Sequence, residues 1–197
     1  MSKPYQPNDI LAQKAREENY RARSVYKLQE LDQKYHLILP QMKVLDIGAA
    51  PGSWLQYASK KLGPTGQALG LDLQEIKPIA PNITTVVCDI TNPREMEKAL
   101  ASLNWADVDL VLSDIAPSTT GVSELDHGQS IDLNRIIFTS AKKFLKPKGK
   151  LVMKVFDGSE FQNFIKELRK NFSKVSVTKV KASRERSREL YVICQQK

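Results

Sequence analysis

Four aspartates and one lysine recur at the same kind of place, the end of a short apolar run: VLD46, LGLD72, VVCD89, LVLSD114 and LVMK154. A single Asp there is usually a helix cap or turn former. A single Lys lays its stem on apolar surface and keeps its head in water. Gathered on one rim, the five make a site, with carboxylates that accept from hydroxyl and amino groups beside an amine that can hold or take a proton. Asp46 leads directly into DIGAAPGSW (46–54). Gly48 and Gly52 allow a tight turn and close backbone approach, and a helix starting near Ser53 would aim its free N–H groups at the same spot. The G-x-G-x-x-G spacing that admits a pyrophosphate is missing, and Pro51 fills part of the turn. Asp72, 24 residues after Gly48, is spaced to accept from ribose hydroxyls, and Asp89 to accept from an adenine amino group. The ligand these residues describe is an adenosine without a diphosphate.

Such a rim forms only if the runs are parallel strands in one sheet. From Met42 onward, β-branched runs alternate with helical patterns, as in a parallel sheet with covering helices. Strands are expected at 43–47, 67–71, 83–88, 108–113, 150–155, 175–180 and 189–194. Helices are expected at 53–62, 93–103, 130–145 and 159–171, the last two with apolar residues at helical spacing. The loop KASRERSR is too brief for a crossover, so the final two strands should be antiparallel. The expected fold is α/β and Rossmann-like: a seven-stranded, mostly parallel sheet with an antiparallel last strand and helices on both faces. Ligands bind such sheets at the carboxyl ends of the strands. Residues 8–35 read as one or two amphipathic helices ahead of the sheet. The domain expectation is one unit over 1–197, with a helical extension at 1–40 and a core at 41–197. PSTTGVSELDHG (117–128) is expected to be the longest unstructured loop.

Hydrophobic residues make up 41% and charged residues 26% of the chain, and no apolar run is long enough to span a bilayer. The first residues lack the apolar core of a signal peptide, so the expected location is the cytoplasm, with no membrane partner. Cys88, Cys194, His36 and His127 are too few for a zinc cluster or a disulfide framework, and no metal is expected. Both cysteines lie in apolar runs and read as core thiols. The net charge is +8. Residues 166–197 hold ten basic against three acidic residues and residues 1–34 seven against five, so the excess sits at the chain ends. If those ends meet, they form one basic surface for a polyanion.

The chain resembles a known family through RSVYKL (23–28), DIGAAPGSW (46–54), LSDIAPSTTG (112–121), VMKVFDG (152–158) and SRERSRELYVI (183–193). Together, in motif order and over essentially the whole chain, these segments are similar to the FtsJ-like ribosomal RNA 2′-O-methyltransferases. The resemblance implies a class I S-adenosylmethionine-dependent methyltransferase with a Lys-Asp-Lys-Glu tetrad at Lys27, Asp114, Lys154 and Glu189. It implies cofactor contacts at Gly52, Trp54, Asp72, Asp89 and Asp114, to which the turn adds Gly48. The implied substrate is a ribose 2′-hydroxyl of RNA, a uridine of 23S large-subunit ribosomal RNA, although some relatives act on transfer RNA. Ser118 departs from the Asn of the bacterial ribosomal RNA enzymes. For RNA phosphates the candidates are Arg21, Arg23, Lys179, Lys181, Arg184, Arg186 and Arg188. Tyr20 and Tyr26 read either as base-stacking platforms or as helix-packing core.

In that setting Lys154 reads as a general base. The ordinary lysine pKa of about 10.4 means that a neutral amine near pH 7 must be favoured by about 4 kcal/mol. Burial, Lys27 and a cationic cofactor push that way, whereas Asp114 and Glu189 oppose it. The other reading keeps Lys154 charged and orienting the hydroxyl. Read singly, Asp114 is a cap, Lys27 a solvated helix position and Glu189 a partner of neighbouring arginines. An NAD-dependent oxidoreductase would use the same turn and Asp72 but leaves Lys27, Glu189 and the basic C-terminus unused. A non-catalytic ribosome-assembly factor would account for the charge but has no need of the tetrad. Ribosomal RNA or the large subunit is the expected partner, and a monomer is the default.

Overall fold

The computed structural model describes residues 10–117, 123–184 and 187–196. Ser118 and Arg186 lie outside these residues. The elements are α1 (Ile10–Glu17), α2 (Val25–Tyr35), β1 (Lys43–Ile47), α3 (Ser53–Leu62), β2 (Gln67–Asp72), β3 (Ile83–Val87), α4 (Pro93–Ser102), β4 (Val108–Ser113), α5 (Ser123–Phe144), β5 (Leu145–Phe156), α6 (Phe161–Asn171), β6 (Lys174–Thr178) and β7 (Glu189–Gln195). They build the expected Rossmann-like sheet, in the order β3-β2-β1-β4-β5-β7-β6. The first five strands pair in parallel, and β7 runs antiparallel to both β5 and β6.

The strand period of two divides the core into two layers. Leu45, Leu69, Val111, Leu151, Met153 and Val192 pack with α4, α5 and α6. Val44, Ala68, Leu110, Leu112, Val152 and Ile193 pack with α2 and α3. Helix α6 shows why these segments fold as they do. Phe161, Phe164, Ile165 and Leu168 are buried at i, i+3, i+4 and i+7 spacing, each contributing about 1.5–3 kcal/mol by leaving water. Register then carries parity across the sheet: Asp46 pairs with Gly70 and with Leu112, Leu112 with Val152, and Lys154 with Tyr191. Two residues further along each chain, Gly48, Asp72, Asp114 and Lys154 form a row past or at the strand ends, on the side covered by α2 and α3.

Three expectations require correction. Helix α5 begins at Ser123, so residues 123–128 of the expected loop are helical. Their polar letters read as loop, but Asp126 and His127 are buried and have partners in the fold. Strand β5 begins at Leu145, pairing with Val108 before a register shift where Lys148 takes a left-handed φ of 64°. Strand β6 ends at Thr178 instead of 180, because the chain leaves the ladder to bury Val180 and to give the N–H groups of Lys181 and Ala182 to Glu30 on α2.

Candidate active site

Lys27 from α2, Asp114 after β4, Lys154 in β5 and Glu189 at the start of β7 converge. The Lys27 ammonium donates to Glu189 Oε2 at 2.8 Å and lies 3.9 Å from Asp114 Oδ1. Lys154 Nζ donates to the Asp114 carbonyl at 2.5 Å and sits 3.2 Å from Asp114 Oδ1 and 4.0 Å from Glu189 Oε1. Both lysines are buried, at 8% and 6% exposure, so neither matches a solvated helix position or a head in bulk water. Burial pushes the Glu189 carboxyl up, but the hydrogen bond and charge of Lys27, with Lys154 and Ser183, outweigh it and hold Glu189 below the usual range. A pocket of about 450 Å³ opens on this group, lined by Arg23, Ser24, Lys27, Arg184, Ser187 and Glu189.

Supports for this group carry no signal in the sequence, because each depends on tertiary register. Tyr191 stands beside Lys154 across β5 and β7 and donates its hydroxyl to Asp114 Oδ1 at 2.6 Å. Burial, and then Asp114, push the Tyr191 phenol well above its ordinary range, so it stays a donor. Strand β4 stops pairing at Ser113 opposite Met153, which strips the next backbone groups of β5 of a strand partner. Helix α5 supplies the replacements. Asn134 Nδ2 donates to the Lys154 carbonyl at 2.9 Å, Ser130 Oγ accepts from the Phe156 N–H at 3.3 Å, and His127 Nδ1 bonds the Phe156 carbonyl at 2.9 Å. These residues lie on one stripe of α5 and fix the strand at Lys154. Lys150, also in β5, donates to the Tyr35 and His36 carbonyls at the end of α2, so the first lysine of KLVMKVF positions that helix.

The turn after β1 is built for close approach. Gly48 and Gly52 have φ of 74° and 101°, the left-handed region open to glycine. Asp72 accepts from the N–H of Ala50 on one oxygen and of Gln74 on the other, which leaves lone pairs on both for further donors. Asp89 accepts twice from Thr91 on Oδ1, and those bonds lower its pKa. Trp54 is 3% exposed and gives its indole N–H to the Ser24 carbonyl at 2.8 Å. It therefore joins α3 to α2 and offers the crevice little of its ring. Asp46 is buried and its Oδ2 has no hydrogen-bond partner among the described residues. Burial first, then the charges of Asp114 and Asp72, push its carboxyl well above the usual range. The carboxylates of Asp72 and Asp114 beside an open glycine turn suit a cationic nucleoside with ribose hydroxyls and repel a pyrophosphate, so the residues fit S-adenosylmethionine.

Asp46 also sets a pH dependence. Its native carboxyl keeps a proton that the unfolded chain loses above about pH 4, so its contribution makes stability fall as pH rises from that value. Glu189 acts in the opposite sense, and its contribution is lost as pH falls below that range. Asp46→Asn is expected to flatten the fall above pH 5 and to gain several °C of Tm at pH 8, where 1 kcal/mol is worth about 2–4 °C. Thermal melts of both proteins between pH 5 and 8 check this, and parallel curves would refute it.

The predicted phosphate contacts divide. Arg23 and Arg184 line the pocket, and Lys179 and Lys181 are exposed. Arg188 donates to the Asp157 carbonyl. Arg21 instead turns its guanidinium to the carbonyls of Pro51, Lys77 and Pro78. Tyr20 and Tyr26 are buried with Ala15, Val25 and Ala182, so they are core and not stacking platforms.

Comparison with known proteins points the same way. The sequence model of the FtsJ-like methyltransferases matches residues 20–197. The chain is 42% identical over 185 residues to the ribosomal RNA large subunit methyltransferase E of Methanothrix thermoacetophila, covering 94% of this chain and 71% of that one. It is 39% identical to the Legionella pneumophila protein of the same name, with 94% and 90% covered. A crystal structure of a ribosomal RNA methyltransferase from Plasmodium falciparum superposes with a TM-score of 0.81 at 29% identity, covering 90% of this chain and 98% of that one.

Proposed function

Because the chain belongs to the FtsJ-like methyltransferase family, we propose that it transfers a methyl group from S-adenosylmethionine to a ribose 2′-hydroxyl of large-subunit ribosomal RNA, on a uridine. The observation that carries this reading is the meeting of Lys27, Asp114, Lys154 and Glu189 within 4.0 Å beneath a pocket with an arginine from each end of the chain.

Gly48, Gly52, Asp72, Asp89 and Asp114 hold the donor, with Trp54 supporting the turn. When bound, S-adenosylmethionine supplies an electrophilic methyl group on a sulfonium sulfur. The target ribose enters the pocket beside Lys27 and Glu189. Lys154 holds its 2′-hydroxyl and takes the proton, and Asp114 and Glu189 fix the amine. Lys27 and the cationic donor repel the charge of Lys154, whereas Asp114 and Glu189 attract it. Loss of the Lys154 proton relieves that repulsion and frees a lone pair for the hydroxyl. Positioning supplies much of the rate, because the encounter becomes effectively intramolecular. The helices of residues 1–40 serve as an RNA-facing extension of the 41–197 core. The protein works in the cytoplasm as a monomer.

Methyl-labelled S-adenosylmethionine incubated with large-subunit RNA and, separately, with transfer RNA, followed by digestion to nucleosides, tests the reaction. Label in 2′-O-methyluridine is the expected result; label in a base, or in transfer RNA alone, would overturn it. Arg184→Ala should weaken RNA binding uniformly across sequences and reduce the slope of log affinity against log salt by about 1. An unchanged slope in a binding titration would remove Arg184 from the interface.

A further inference from the structure

Resting on the donor reading above, we propose that Arg21 is a positioning residue for the methyl donor, setting the width of the crevice and making no contact with RNA. Its guanidinium bridges two walls distant in sequence. Nη1 donates to the Pro51 carbonyl at 3.1 Å and the Lys77 carbonyl at 2.7 Å, and Nη2 donates to the Pro78 carbonyl at 2.7 Å. Pro51 belongs to the glycine turn after β1. Lys77 and Pro78 belong to the loop after β2, whose start is held by the Gln74 N–H on Asp72.

The fit around Gly52 shows how closely these walls are drawn together. A Cβ at Gly52 would lie 2.8 Å from Ile79 Cδ1, 3.1 Å from Arg21 Nη1 and 3.1 Å from Ile76 Cγ2. The glycine therefore makes room for the clamp as well as for the turn. The planar fork of Arg can serve three carbonyls at once, a pattern that the point charge of Lys does not reproduce. The backbone of Arg21 is anchored separately. Its N–H donates to Gln56 Oε1 at 2.8 Å, and Gln56 Nε2 donates to the Asn19 carbonyl at 2.9 Å. Three residues on, Ser24 lines the pocket assigned to the acceptor. One short segment thus borders both substrates, but the Arg21 side chain faces the donor's turn.

The test measures S-adenosylhomocysteine binding by calorimetry for the parent, Arg21→Ala, Arg21→Lys and Gln56→Ala proteins, with RNA binding titrated against salt in parallel. Both Arg21 variants are expected to weaken S-adenosylhomocysteine binding by about tenfold or more. They should raise KM for S-adenosylmethionine with kcat near the parent value, and leave the RNA salt slope intact. Gln56→Ala, which loosens the same segment without touching the clamp, should bind within about threefold of the parent. Equal losses in Gln56→Ala would reduce Arg21 to a general anchor and overturn the proposal. So would normal S-adenosylhomocysteine binding in the Arg21 variants together with a salt slope lower by about 1, the mark of a phosphate contact. Failure of the parent itself to bind S-adenosylhomocysteine would instead overturn the donor reading, and this proposal with it.

Discussion

Lys154→Ala is expected to lower methyl transfer by roughly 10²–10⁴, the range of positioned acid–base groups, while S-adenosylmethionine binding stays within a few-fold of normal. The separation follows from geometry. Lys154 Nζ meets the donor's residues through Asp114, whereas the glycine turn follows β1 and Asp72 ends β2. Folding should survive, because Asp114 keeps Tyr191 and Lys27 as partners. A second substitution separates the two roles open to the amine. Arginine preserves a charge and hydrogen-bond donors but does not deprotonate. If Lys154 takes the proton, Lys154→Arg should be as slow as Lys154→Ala; if it only orients the hydroxyl as a cation, arginine should restore much of the rate. Single-turnover assays with calorimetry decide it, and near-normal transfer by the alanine variant would sink the assignment.

Lys154 also marks what a linear reading reveals. Asp46, Asp72, Asp114 and Lys154 were legible as a rim because strand ends in a parallel sheet are collinear, and apolar runs mark strand ends well. Lys27 and Glu189 were reached only through family resemblance. Nothing local separates Lys27 from any lysine on an amphipathic helix, and its burial arises from α2 packing over the sheet. The residues that hold the site in place were invisible for a related reason. Asn134 and Ser130 read as ordinary polar helix positions, and His127 as a loop letter, until β4 ends and leaves the backbone of β5 in need of partners. Arg21 shows the opposite case: charge counting reads it as a phosphate contact, but three of its five N–H donors go to carbonyls that the sequence places 30 to 57 positions away. Charge predicts a partner's sign; hydrogen-bond satisfaction decides which charges remain available.

Asp114→Asn gives the other large expected effect, and it separates a site from a cap. Asparagine caps helices and turns about as well as aspartate, so a residue needed only for local backbone geometry would tolerate the exchange. Here the carboxylate accepts the Tyr191 hydroxyl at 2.6 Å and faces Lys154 at 3.2 Å and Lys27 at 3.9 Å. The amide can still accept one bond, but its charge is gone, and two buried ammonium groups are left with Glu189 alone. Transfer is expected to fall by about 10² or more. Tm should drop by several °C, since hydrogen bonds to charged groups are worth about 1.5–3 kcal/mol. Affinity for the cationic S-adenosylmethionine should weaken more than affinity for the uncharged thioether S-adenosylhomocysteine, because only the former loses a Coulomb partner. Calorimetry with the two ligands measures that difference. Equal losses for both would assign Asp114 to shape instead of charge, and an unchanged rate would return it to the role of a cap.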